Sequence, residues 1–132
     1  MRAIDTNILV RFLVSDDDKQ AKKVLRLFET TEADNEILFV PQLVQIELIW
    51  VLDSAYSCTR QEIVDSVSDL MQMPILKFES QSALQSFANE AIDSNYDLAD
   101  LLICHSAKIS GCKETLTFDK KASKHELFRL LK

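Results

Sequence analysis

Short apolar runs alternate with stretches of helical periodicity along this chain, the order of an α/β domain with a largely parallel sheet. Residues 1–5 read as a first strand, followed by a short helix from Thr6 to about Val14. Asp16, Asp17 and Asp18 then place negative charge at the start of a second helix, where the dipole favours it. Ala21, Val24, Leu25 and Phe28 give that helix an i, i+3, i+4, i+7 core stripe. Ile37–Val40 reads as a second strand, with Pro41 opening the next helix, where a missing N–H is tolerated. Val44, Glu47, Leu48 and Val51 share one side of it. Thr59 and Glu62 have capping-box spacing and open a helix through Ile63, Val64, Val67, Leu70 and Met71. Pro74 stops that helix, and Ile75–Phe78 reads as a third strand. Leu84, Phe87, Ala88, Ala91 and Ile92 mark the next helix. Another runs from about Asp97 to Ser110 and ends at Gly111. Thr115–Phe118 is a fourth strand, and residues 127–131 fit either a strand or a helical turn. The pattern predicts one domain over residues 1–132 with a central, mostly parallel sheet of four or five strands flanked by helices.

Four acidic residues interrupt this pattern: Asp5, Glu47, Asp100 and Asp119. Asp5 closes the first strand and Asp119 follows the fourth. Glu47 stands between Ile46 and Leu48, and Asp100 precedes Leu101, Leu102 and Ile103. Carboxylates gathered in one cleft repel by roughly 1–4 kcal/mol per pair, so either their pKa values rise or a hard cation neutralises them. In an open parallel sheet, ligands bind beyond the carboxyl ends of the strands, where Asp5 and Asp119 lie. A magnesium-type site is the first expectation, and phosphoryl chemistry is its usual purpose.

Composition changes this picture only at its edges. One Gly and two Pro among 132 residues argue against long linkers or low-complexity segments. The net charge of −6 is unusual for a nucleic-acid binder, although two divalent ions would offset much of it. The cations are also clustered, with Lys19, Lys22, Lys23 and Arg26 in one group and Lys120, Lys121 and Lys124 beside Asp119. The first group reads as a solvated helix face; the second either is a solvated face too or steers a phosphate backbone. Cys58, Cys104 and Cys112 are odd in number and lack CxxC spacing, which indicates reduced thiols in a cytoplasmic protein. His105 and His125 have no second ligand at metal spacing. No apolar run approaches the roughly 18 residues of a membrane span, and Asp5 and Arg11 break any signal-peptide core.

With these residues in place, the chain resembles the PIN-domain nucleases, and more narrowly the VapC-type toxins of toxin–antitoxin pairs. Asp5-Thr6-Asn7-Ile8-Leu9-Val10-Arg11 is similar to the opening motif, and Val40–Glu47 to the second acidic block. Tyr96–Ile103 resembles the third block and Leu116–Lys121 the fourth. The blocks come in family order and span nearly the whole chain. The resemblance implies a PIN-like three-layer fold and an acidic pocket of Asp5, Glu47, Asp100 and Asp119 that binds magnesium or manganese. Thr6, Asn7 and Thr117 would support the pocket. It further implies hydrolysis of RNA to 5′-phosphate and 3′-hydroxyl ends, a small antitoxin partner and a homodimer.

Several residues carry a second reading. Asp5 also fits a helix N-cap. Asp97 and Asp100 are i and i+3, so they share a helix face, and Asp97 is either a further metal ligand or the cap of that helix. Asp119 also fits a turn. Arg11 either holds a phosphate or forms a surface ion pair. Trp50 and Tyr56 read as core or dimer-surface aromatics, and Cys104 as packing. The alternative to a nuclease is an inactive PIN-like protein that works by docking a partner. An aspartate-based phosphatase needs a second Asp two residues after the first, where this chain has Asn7.

Overall fold

The computed structural model describes residues 1–132, which form two compact units, Met1–Glu79 and Ser80–Lys132. Unit one contains β1 (Arg2–Ala3), α1 (Thr6–Val14), α2 (Asp18–Ala33), β2 (Leu38–Val40), α3 (Gln42–Ser54), α4 (Arg60–Met71) and β3 (Leu76–Phe78). Its three strands pair in parallel in the order β1-β2-β3, with Ala3 opposite Phe39 and Val40 opposite Phe78. Leu38, Val40, Leu76 and Phe78 are buried while Lys77 points to solvent, the period-two alternation of a covered sheet face. Helix α1 packs against both α2 and α3.

Local chemistry explains where these helices begin. The Asp17 side chain accepts the Gln20 N–H at 3.0 Å and caps α2. Thr59 and Glu62 form the expected capping box, with the Thr59 N–H donating to Glu62 at 2.8 Å and the Glu62 N–H to Thr59 at 3.1 Å. Pro41 sits one place earlier than expected, as the residue before α3. One core position is also corrected. Leu25 is 48% exposed, because the buried stripe of α2 is the narrower set Ala21, Val24, Phe28 and Thr31.

Unit two contains α5 (Gln81–Ala91), α6 (Leu98–Ile109), β4 (Thr115–Thr117), a short 3₁₀ helix (Ala122–Lys124) and β5 (Phe128–Leu130). Helices α5 and α6 form its main packing pair, burying Ala83, Leu84, Phe87, Ala88, Leu101 and Leu102. Gly111 adopts φ +95° just past α6, a left-handed conformation that glycine takes without strain. Segment 127–131, open between strand and turn in the sequence, contains β5, which pairs in parallel with β4. The chain therefore has five strands, all in parallel pairings, divided three and two between its sheets. No helix is long and apolar enough to cross a membrane.

Candidate active site

In unit one, Asp5 stands directly before α1 and caps it, its Oδ1 accepting the Ile8 N–H at 3.4 Å. Glu47 lies on α3 beside, rather than within, the buried face of Gln45, Leu48, Ile49 and Leu52. The hydroxyl of Thr6, itself buried, donates to Glu47 Oε1 and so fixes the carboxylate to the first turn of α1. Gln45 holds the start of that helix: its amide donates to the carbonyls of Val40 and Glu79, at the ends of β2 and β3. Asp5 and Glu47 are thus connected through Thr6, the neighbour of one and partner of the other. Arg11 is engaged on several sides, donating to Gln20 at 2.6 Å, Asp16 at 2.9 Å and Tyr56 at 3.3 Å. Tyr56 completes this group by donating to Asp16 at 2.9 Å, whereas Trp50 is 65% exposed and no part of the core.

In unit two, Asp97 caps α6, its Oδ1 accepting the Asp100 N–H at 3.0 Å. Asp100, in the first turn, is half-buried. Burial, and then the charges of Asp97 and Asp119, push its carboxyl above the usual aspartate range. Asp119 Oδ1 accepts the N–H groups of Lys121 at 2.8 Å and Ala122 at 3.0 Å, and the Asp119 N–H donates to Thr117 Oγ1. These three aspartates are therefore one electrostatic group. Of the acids singled out in the sequence, Asp5, Glu47, Asp97 and Asp119 are exposed, so they lie at rims rather than in the core. None of the five forms an ion pair, and their hard carboxylate oxygens suit magnesium or manganese.

Unit two also contains a cluster that sequence spacing did not reveal. His105 on α6 and His125, buried after the 3₁₀ helix, meet at Glu90 on α5. His125 Nδ1 accepts the Leu127 N–H at 3.0 Å, so the ring proton resides on Nε2, which lies 2.8 Å from both Glu90 oxygens. His105 Nε2 lies 2.7 Å from Glu90 Oε1. Burial pushes the Glu90 carboxyl up, but hydrogen bonds from His125 and His105 outweigh it and hold the group below the usual glutamate range. Cys104, His105 and His125 do place ligand atoms within 4.8 Å of one another, as a metal-binding group can. Their protons argue for another role. The Cys104 thiol is pushed up to about 11, mainly by burial, and donates to the Leu101 carbonyl at 3.3 Å. A metal on His125 Nε2 would move the ring proton to Nδ1, against the Leu127 N–H. Glu90, His105 and His125 form a clamp between α5, α6 and the segment before β5. The available signal was a glutamate bordering the apolar stripe of α5.

The chain is 30% identical over 128 residues to the VapC ribonuclease of Aquifex aeolicus (strain VF5), covering 94% of this chain and 91% of that protein. The family profile described as PIN domain matches residues 3–126, from the strand before Asp5 to the residue after His125. With acidic motifs, parallel strands and profile in agreement, this chain belongs to the PIN domain family.

Proposed function

We propose that the protein is a metal-dependent endoribonuclease that hydrolyses RNA phosphodiester bonds as the toxin of a toxin–antitoxin pair. The observation that carries the reading is the placement of Asp100, half-buried in the first turn of α6 directly beside the capping carboxylate of Asp97 and without a paired cation. A carboxylate so placed is stabilised by a hard divalent ion. Membership of the PIN family and identity to a VapC ribonuclease support both the chemistry and the partner class. Asp5, Glu47, Asp100 and Asp119 are assigned as the metal-holding carboxylates, and the chain is taken to work as one domain over 1–132. When bound, magnesium or manganese supplies Lewis-acid polarisation of a phosphoryl oxygen and acidifies water. Thr6 orients Glu47, and the backbone of α1 orients Asp5. Metal-dependent cleavage of total cellular RNA, lost in chelator and restored by Mg²⁺ or Mn²⁺, tests the reading; metal-independent cleavage or none contradicts it.

Asp100 is assigned as the principal ligand of its block and Asp97 as its cap. Calorimetric titration of Mn²⁺ should show a larger affinity loss for Asp100→Ala than for Asp97→Ala. The latter should instead lower stability by about 1 kcal/mol, the usual cost of deleting an N-cap. A larger affinity loss in Asp97→Ala would reverse the assignment.

A small antitoxin and a second copy of the chain are the proposed protein partners. Their support is apolar surface on the first helices. Phe12, Leu25, Met73 and Pro74 line a groove of about 240 Å³ together with the buried Phe28 and Ile75 and the carboxylates of Glu29 and Glu32. This suits an amphipathic segment with basic flanks. Light scattering of the purified chain, alone and co-expressed with its upstream neighbour, should give a dimer and a larger complex. A monomer that captures nothing would remove the toxin assignment and leave the nuclease.

A further inference from the structure

A cleft of about 460 Å³ opens between α1 and α2, walled by Asn7, Ile8 and Arg11 on one helix and Gln20, Lys23 and Leu27 on the other, with Asp5 at its edge. Its composition differs from the acidic clusters described above. Lys23 has no ion-pair partner, and Asn7 has no side-chain hydrogen bond. Arg11 is locked by Gln20, Asp16 and Tyr56, contacts that use Nε and Nη1 and leave Nη2 without a protein partner. Half-buried Ile8 and Leu27 add apolar surface. The cleft thus offers one unpaired cation, Lys23, an Arg11 whose charge is shared with Asp16, the amides of Asn7 and Gln20 and an apolar wall beside the Asp5 carboxylate, in a volume that suits one nucleotide.

Resting on the ribonuclease reading, we propose that this cleft is an RNA subsite, and that Lys23 is a substrate-positioning residue holding the phosphate next to the one that is cut. Asp5 joins the two functions, because it both edges the cleft and belongs to the assigned metal carboxylates. Lys23 is set apart from its charged neighbours by helical phase. Gln20, Lys23, Val24 and Leu27 follow i, i+3, i+4, i+7 along the cleft wall, whereas Lys19, Lys22 and Arg26 fall outside it. A locked Arg11 costs little side-chain entropy on binding, and Lys23 supplies an adaptable charge on a flexible stem.

Binding of a fluorescent mixed-sequence single-stranded oligoribonucleotide tests this by anisotropy, with Asp5→Asn as a common non-cutting background in Mg²⁺. Adding Lys23→Met should weaken binding roughly five-fold near 0.15 M salt, the scale of one screened charge-assisted contact. It should also reduce the slope of log affinity against log salt by about 0.7, the single-strand value for one phosphate. Lys23→Arg should restore the slope. Lys22→Met, an equal charge change on the adjacent residue, should leave it unchanged. Equal slopes with and without Lys23→Met overturn the proposal, and so does an equal fall in Lys22→Met, which would signify a diffuse field. If the unmodified chain neither binds nor cuts RNA, the ribonuclease reading itself fails; binding that ignores Lys23 removes the subsite alone.

Discussion

Asp5→Asn should lower RNA cleavage more than about 100-fold, beyond the loss typical of residues that merely support a metal ligand. The variant should stay folded. Asp5 caps α1 through one oxygen that accepts the Ile8 N–H, and the asparagine carbonyl can do the same. Asn and Asp are near-equal caps, so thermal unfolding should move by no more than about 0.5 kcal/mol. An amide is also a poorer ligand than a carboxylate for a hard divalent ion. The joint readout is activity on cellular RNA and a melting curve on the same preparation. Full activity in Asp5→Asn removes the residue from the metal site, while lost activity with lost stability would mean that capping is its main role.

The largest stability effect should come from the clamp in unit two. Glu90→Ala removes the acceptor of two imidazole donors, one on His125, which is 5% exposed. Leaving a buried donor unpaired costs about 1–3 kcal/mol, and the partial exposure of Glu90 itself keeps the expected loss near 2 kcal/mol. The pH dependence follows from the sign of its shift. Because the folded carboxyl is held below the usual glutamate value of about 4.3, its contribution is fully present above that pH. It is lost as pH falls further, through the folded value. Urea unfolding of the unmodified chain and Glu90→Ala should therefore differ most near neutral pH and converge in acid. A difference that persists unchanged well below pH 4 would mean that the carboxylate charge is irrelevant to the clamp.

Features encoded within a few residues were legible in the sequence. The Thr59–Glu62 box and the glycine after α6 depend on local backbone chemistry, and both stand where their spacing indicates. The parallel strands followed from alternation with helices. Pairing across long separations was harder to read. Segment 127–131 reveals itself as a strand only through Thr115–Thr117, which no local periodicity encodes. The Glu90 clamp joins residues 15 and 35 positions apart, and such contacts have no motif. Leu25 fits the periodicity yet lies outside the buried stripe, because a helical stripe can be three or four positions wide and packing selects the narrower one. For the acids, the cap and ligand readings of Asp5, Asp97 and Asp119 looked like alternatives. The structure shows each in a capping or turn bond made through Oδ1.

Asp5, Asp97 and Asp119 each satisfy backbone N–H groups with Oδ1. This division between the two oxygens has a genetic consequence. Aspartate and asparagine codons differ by a single base, and the exchange preserves the oxygen on which the backbone depends. A chain carrying such a change should still be synthesised, folded and retained at normal abundance. Alleles carrying such an exchange should therefore accumulate as intact copies rather than as degraded ones.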